Sequence, residues 1–214
     1  MRNYWSWVIR QGCLAVCMTG GLIAEPTPPA AAGFGAESRG GKGGTVIMVT
    51  RLDDDVRKPQ PEMFRWAVRQ KGPRIVKFQV AGTIALKDTV SIREPFLTID
   101  GQDALGLGIC LRGGSLEIED THDIIVRYIR VRLGDETTLR RNKASKRKRP
   151  KGSAGLDCIE IRRSQDILVD HVSVSWSCDE LFSVVHCHNV TVQWCLMAEP
   201  LSNPALHPYG DNHA

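Results

Sequence analysis

Beyond its first 24 residues the chain contains no apolar run approaching the length needed to cross a bilayer, so a polytopic helical membrane protein is excluded. It also lacks any C-x-x-C pair, which argues against metal knuckles. Collagen-like, coiled-coil and disordered compositions are absent as well: 42% of the residues are hydrophobic and 24% charged, near the averages for globular proteins. What remains is a chain of 214 residues with a formal net charge of +4, one domain or slightly more, long enough to bury a substantial core.

The beginning has a pattern of its own. Arg2 and Arg10 precede an apolar run from Gly12 to Ala24, and Glu25-Pro26 follow at once. This is the layout of a secretory signal peptide over residues 1–24, with an uncleaved anchor as the rival reading. Cys17 lacks the small preceding residue of a lipoprotein signal, because Val16 stands there. The stretch EPTPPAAA, residues 25–32, reads as an extended linker whose alanines offer a second cleavage region. The implied localisation is secreted or periplasmic, with no membrane partner once the leader is cut. Removing Cys13 and Cys17 leaves an odd set, Cys110, Cys158, Cys178, Cys187 and Cys195, read as small buried hydrophobes rather than a disulfide framework.

An internal repeat organises the rest. LEIEDTHDIIVRYIRVR from Leu116, IEIRRSQDILVDHVSVS from Ile159 and FSVVHCHNVTVQWCLMA from Phe182 superimpose, aligning Asp123, Asp166 and Asn189. The last two copies start 23 residues apart; the first two start 43 apart because Leu133 to Leu156 is inserted. Short β-forming runs at a period in the low twenties are what a parallel β-solenoid needs, since each coil must close and stack on the next. The leucine and asparagine spacing of a leucine-rich repeat is missing.

Alternation points Leu116/Ile159/Phe182, Ile118/Ile161/Val184, Ile124/Ile167/Val190 and Val126/Val169/Val192 inward. The parity then breaks, because Ile129/Val172/Cys195 and Val131/Val174/Met197 are apolar too. A bend is therefore expected near Arg127/Asp170/Gln193 and Tyr128/His171/Trp194. The runs from Arg74, Gly82 and Phe96 read as strands of earlier coils, and Pro61 to Gly72 as a short helix with Met63, Phe64, Ala67 and Val68 on one side, capping the stack.

GFGAESRGGKGGTVIMVTRLDDD, RIVKFQVAGTIALKDTVSI, LTIDGQDALGLGI, THDIIVRYIRVRLGD, GLDCIEI, ILVDHVSVSWSCDE and NVTVQWCLMAEPL occur in this order. Together they resemble the pectate lyase-like family, polysaccharide lyases of family 1. The resemblance implies an all-β fold, a right-handed single-stranded parallel β-helix of the pectin-lyase type over residues 33–214, represented by its N-terminal coils with a short capping helix and incomplete at the C-terminus. It implies an exported, calcium-dependent enzyme cleaving pectate or polygalacturonate by β-elimination, with a role in pectin catabolism. The implied cofactor is Ca2+ and the implied partner an acidic polysaccharide; no nucleic acid partner and a monomer are expected.

Beta-elimination removes the C5 proton of a galacturonate beside a carboxylate, and a calcium ion neutralises that charge. Calcium needs several oxygen ligands, and residues one period apart on a solenoid lie about 4.8 Å from each other. By the resemblance, Asp157 takes the place of the aspartate in the family's D-A-I segment and Asp179 the first acid of its D-x-x-x-D segment. Ser183 stands where the second acid is expected. Glu180 and Glu160, the latter one period before Ser183, are the candidate replacements. The rival reading makes Asp157 and Asp179 turn residues capping backbone amides. Asp170-His171 matches the family's Asp-His pair at the bend, expected to be structural.

The family's catalytic arginine is expected beyond Ala214 and its lysine near Pro200-Leu201, so the catalytic residues are unknown. The insertion Arg140 to Gly152 holds eight Lys or Arg residues, and Arg147 and Lys148 are candidates for contacting a polyanionic glycan from a loop. His207 and His213 are further substrate-binding candidates. Two alternatives stay open: a non-catalytic or degenerate β-helix that binds acidic glycans, and a lyase or hydrolase for another uronic-acid polymer.

Overall fold

The computed structural model describes residues 30–144 and 156–201, with side chains described to residue 141 in the first span. The leader, most of the basic insertion including Arg147 and Lys148, and His207 and His213 lie outside the described residues.

The elements run β1 (Thr45–Val49), α1 (Phe64–Val68), β2 (Arg74–Phe78), β3 (Gly82–Ala85), β4 (Val90–Ile92), β5 (Leu97–Asp100), β6 (Ile109–Arg112), β7 (Leu116–Glu119), β8 (His122–Arg127) and β9 (Ile129–Arg132). After the helix α2 (Glu136–Ala144) come β10 (Ile159–Arg162), β11 (Gln165–Asp170), β12 (Ser173–Ser175), β13 (Phe182–Val185), β14 (His188–Gln193) and β15 (Leu196–Met197). They form three sheets of orders β1-β2-β5-β8-β11-β14, β13-β10-β7-β4 and β15-β12-β9-β6-β3. All pairings are parallel, and successive strands of each sheet come from successive coils. The fold is an all-β parallel β-helix.

The repeat's alignment is the register of the sheets. Ile159 lies between Leu116 and Phe182, Ile167 between Ile124 and Val190, and Val174 between Val131 and Met197. Leucine, isoleucine and valine at these positions fill the coil interior, and Leu116, Ile118, Ile124, Val126, Ile159, Ile161 and Val169 are fully buried. On the last described coil Val184 and Met197 are exposed, because a solenoid coil is buried only where another stacks on it.

The bend falls where the parity breaks. Beta-8 ends at Arg127 and β9 starts at Ile129, while Tyr128, His171 and Trp194 take left-handed backbone conformations with φ of 55°, 52° and 52°. One such residue reverses the alternation and turns the chain between two sheets. The run from Gly82 is two strands rather than one: Leu86 to Thr89 forms a corner in which the Asp88 carboxylate accepts from the Thr89 amide at 2.9 Å. The sequence reading also did not single out β1 and β6 as strands.

The capping helix is shorter than the stretch read for it, five residues, but Met63, Phe64, Ala67 and Val68 are all buried. Between them Arg65 is buried too. Its guanidinium holds Asp54 with two bonds of 2.7 Å and donates to the carbonyls of Asp88 and Thr89 at 2.6 Å. A buried charge is tolerated there because every side of the fork has an acceptor.

The glycine-rich segment 33–44 crosses the outer face of the first sheet like a strap. Its backbone amides at Gly35, Arg39 and Gly41 donate to Thr191, Asp123 and Thr98 in turn, at 3.0, 2.8 and 2.9 Å. Contact is too close for side chains: a Cβ on Gly35 would meet the Ile167 carbonyl oxygen at 2.2 Å, and one on Gly41 the Arg74 oxygen at 1.8 Å. Ala32, the end of the stretch read as a linker, already donates to Gln193.

The basic insertion does not begin as a loop. Its first residues, Arg140 to Ala144, complete α2, which is joined to earlier coils by Arg141 with Asp88, Arg112 with Glu136 and Arg140 with the Lys87 carbonyl. Arg140 and Arg141 are thus engaged in holding the helix. Among the described residues no helix is long and apolar enough to cross a membrane.

Candidate metal centre

Asp157 lies just before β10, and Asp179 and Glu180 lie just before β13 on the next coil. Parallel pairing extends ahead of the strands, with Cys158 N–H donating to the Glu180 carbonyl at 3.3 Å and Asp179 N–H to the Leu156 carbonyl at 3.4 Å. This continued register sets Asp157 beside Glu180, its counterpart 23 residues later. Ligand oxygens of Asp157, Asp179 and Glu180 all lie within 4.8 Å of one another. Asp179 is buried, Asp157 half-buried and Glu180 exposed, so the trio has an inner and an outer side.

Burial, first of all, and the facing Glu180 and Asp179 push the Asp157 carboxyl up to about 7, against a hydrogen bond from Ser183 that pulls the other way. Three carboxylates in this arrangement repel one another, and a hard cation among them would relieve both the repulsion and the desolvation. The donor set therefore fits calcium. Part of the rival reading is also present, since one Asp157 oxygen accepts the Glu180 backbone amide at 3.1 Å and the other accepts the Ser183 hydroxyl.

Glu160 lines the same cleft, of about 210 Å³, but stands outside the trio, ion-paired with Arg162. It faces Ser183 across the β10–β13 pairing, as the period requires, and Glu117 on the other side. The geometry brings together Asp157, Asp179 and Glu180 and holds Glu160 apart. The sequence signal for Glu180 was its spacing of one period from Asp157, more direct than its adjacency to Asp179.

At the bend, the Asp170 carboxylate is buried and hydrogen-bonded to His171 Nδ1 at 2.8 Å and to the Gln193 amide at 3.2 Å. Tyr128, His171 and Trp194 stack, with ring centroids 4.7 and 6.4 Å apart. This corner was legible as a bend but not as a stack of rings. All five described cysteines are free. Cys110, Cys158 and Cys178 are buried and Cys187 and Cys195 half-buried, and burial pushes the Cys158 thiol up to about 12.

No family model matches the chain. It is 37% identical over 191 residues to "Probable pectate lyase C" of Aspergillus oryzae, an alignment covering 88% of this chain and 40% of that protein. To the protein of the same name in Emericella nidulans it is 38% identical, covering 81% and 36%. "Probable pectate lyase 16" of Arabidopsis thaliana is 31% identical, covering 72% and 39%. The chain thus spans about 40% of the length of the curated relatives it matches. Among solved structures, Jun a 1, the major allergen from cedar pollen, superimposes with a TM-score of 0.59 at 21% identity, covering 76% of this chain and 47% of that one. The shared β-helix and the level of identity across most of the chain together place it in the pectate lyase-like family.

Proposed function

We propose that the protein is an exported polysaccharide lyase that cleaves pectate by calcium-dependent β-elimination, with Asp157, Asp179 and Glu180 holding the ion. The observation that carries this reading is the convergence of the three carboxylates within 4.8 Å. Calcium, when bound, would link these carboxylates to the galacturonate carboxylate and lower the cost of removing the adjacent C5 proton. The chain's own groups set the geometry of that encounter. Asp179 is fixed by burial, Asp157 is oriented by the Ser183 hydroxyl and the Glu180 amide, and Glu180 closes the solvent side. Glu160 helps only by holding Arg162 at the cleft wall, where a guanidinium faces incoming uronate carboxylates. Arg147, Lys148, His207 and His213 are proposed as substrate contacts outside the described residues.

The test is the rise in ultraviolet absorbance as the unsaturated product forms from polygalacturonate. In the complete enzyme, with the later coils expected to carry the catalytic arginine, activity should appear with calcium, vanish with chelator, and fall at least about a hundredfold in Asp157→Ala, as for loss of a supporting metal ligand. Activity that survives both chelator and Asp157→Ala would overturn the assignment.

One observation favours a second reading. Ser183 occupies the position of the family's second acid and is hydrogen-bonded to Asp157, leaving one carboxylate fewer for the ion. A weakened site is compatible with a non-catalytic binder of acidic glycans, or with a lyase or hydrolase for another uronic-acid polymer. Calcium-dependent retention on immobilised pectate without product formation would favour the binder.

A further inference from the structure

Clefts larger than the one at the carboxylate trio lie elsewhere among the described residues. One of them, about 460 Å³, opens at the bend between the first and third sheets, where Tyr128, His171 and Trp194 form one wall. Its other walls are the half-buried Arg130, Ser173 and the loop carrying Leu107, which is 89% exposed. It shares no lining residue with the acidic cleft, and no carboxylate lines it.

Three features of this cleft point to a ligand of one kind. First, Arg130 makes no ion pair among the described residues; its guanidinium reaches only the Gly108 carbonyl, at 3.5 Å. A positive charge in a cleft without an acidic neighbour is an unmatched anion site. Second, the His171 ring lies between Tyr128 and Trp194, so both its faces are covered and it meets the cleft by its edge. On that edge Nδ1 is held by the buried Asp170 carboxylate at 2.8 Å, which leaves the second ring nitrogen to accept from a sugar hydroxyl. Third, the exposed Leu107 and Leu196, with Ala104, lie beside Ser173 and Gln102, a mixture of apolar and hydrogen-bonding surface that matches the C–H faces and hydroxyl rim of a sugar.

We propose that this bend cleft is a second, calcium-independent binding site for a short acidic oligosaccharide, with Arg130 receiving a uronate carboxylate and the stacked rings bordering a sugar ring. The volume is within the range of small-ligand sites. The choice of uronate rests on the proposed function; the unmatched guanidinium and the ring wall do not depend on it. A second site on another face would let one polymer chain be held while a different segment lies at the carboxylate trio, raising its local concentration there.

The experiment is calorimetric titration of trigalacturonate into the full chain in the presence of EDTA, which removes metal bridging at the trio. Binding is expected for the unaltered protein and for Asp157→Asn, with affinity reduced about tenfold in Arg130→Gln, as for loss of a charge-assisted hydrogen bond. Leu107→Asp, which places a carboxylate at the rim on a fully solvated side chain, should weaken binding without touching the fold. Maltotriose and triglutamate serve as neutral and peptidic controls. Equal binding of maltotriose would overturn the anionic assignment, and equal binding of triglutamate would replace the saccharide by an acidic peptide. Trigalacturonate binding that both substitutions leave unchanged, or none at all, would overturn the site. Arg130-dependent binding beside calcium uptake that Asp157→Ala leaves unchanged would defeat the proposed function alone, and Asp157-dependent calcium uptake with no such binding would defeat this inference alone.

Discussion

At the scale of residues, the carboxylate trio sets competing demands. Without metal, Asp157 is held protonated to about pH 7, well above the ordinary aspartate value, because it is buried and faces Glu180 and Asp179. A folded-state pKa raised above the unfolded one means that the stabilising contribution is complete below the unfolded value and is lost as pH rises towards 7. In chelator, the melting temperature should therefore fall as pH rises from 3.8, the ordinary value, to about 7, the raised one, and Asp157→Asn should remove much of the fall. An identical pH profile in the variant would contradict the assignment. Ser183 offers the converse test: Ser183→Asp adds a carboxylate where the Asp157 hydrogen bond now is, and calcium affinity should rise about tenfold. Unchanged or weaker calcium binding would show that position 183 does not face the ion.

Elements are held by devices of different visibility in the sequence. The strap 33–44 depends on glycine because backbone packs on backbone, so Gly41→Val should cost about 2–4 kcal/mol while Lys42→Val, on the exposed neighbour, costs less than about 0.5. Chemical denaturation of the two variants measures the difference, and equal stabilities would mean that the strap does not hold the sheet. The Arg65–Asp54 pair gives a second prediction: Arg65→Met leaves Asp54 buried without its counter-charge and should cost about 3–5 kcal/mol, with Asp54→Leu added in the double variant recovering part of the loss. A single variant as stable as the parent would contradict the burial. The strands and their register could be read from Ile159, Ile167 and Val174 because one side chain per coil repeats at one spacing. Arg65 could not, since a helical face of apolar residues gives no sign that the arginine between them turns inward. Nor could α2, whose Glu136–Ala144 stretch is polar apart from Ala144 and the exposed Leu139 and is held by ion pairs to Asp88 and Arg112.

On the scale of the whole molecule, a solenoid separates structure from chemistry: the inward positions build a continuous core, and the outward positions at equal heights assemble sites from separate coils. Asp157 and Glu180 meet by that rule, and so do Tyr128, His171 and Trp194. The convergence of the acids was legible because acids in a β-rich stretch stand out and one period separates Asp157 from Glu180. That of the rings was not, because neither a tyrosine nor a histidine nor a tryptophan at a bend signals a ring stack until the period is placed in space. Free thiols are a further property of the whole core: with Cys158 buried and its thiol held up to about 12, alkylation of the native protein at pH 8 should be slow there and become rapid on unfolding. Mass spectrometry after a timed iodoacetamide pulse reads this directly, and prompt native labelling of Cys158 would contradict the packing. All of the functional reading nonetheless turns on whether the trio holds an ion. The most direct measurement is calorimetric titration of calcium into the metal-free chain at pH 7, beside Asp157→Ala. The account predicts saturable uptake of one ion with release of a proton from the trio, lost in the variant; no uptake, or uptake that the variant leaves unchanged, would contradict it.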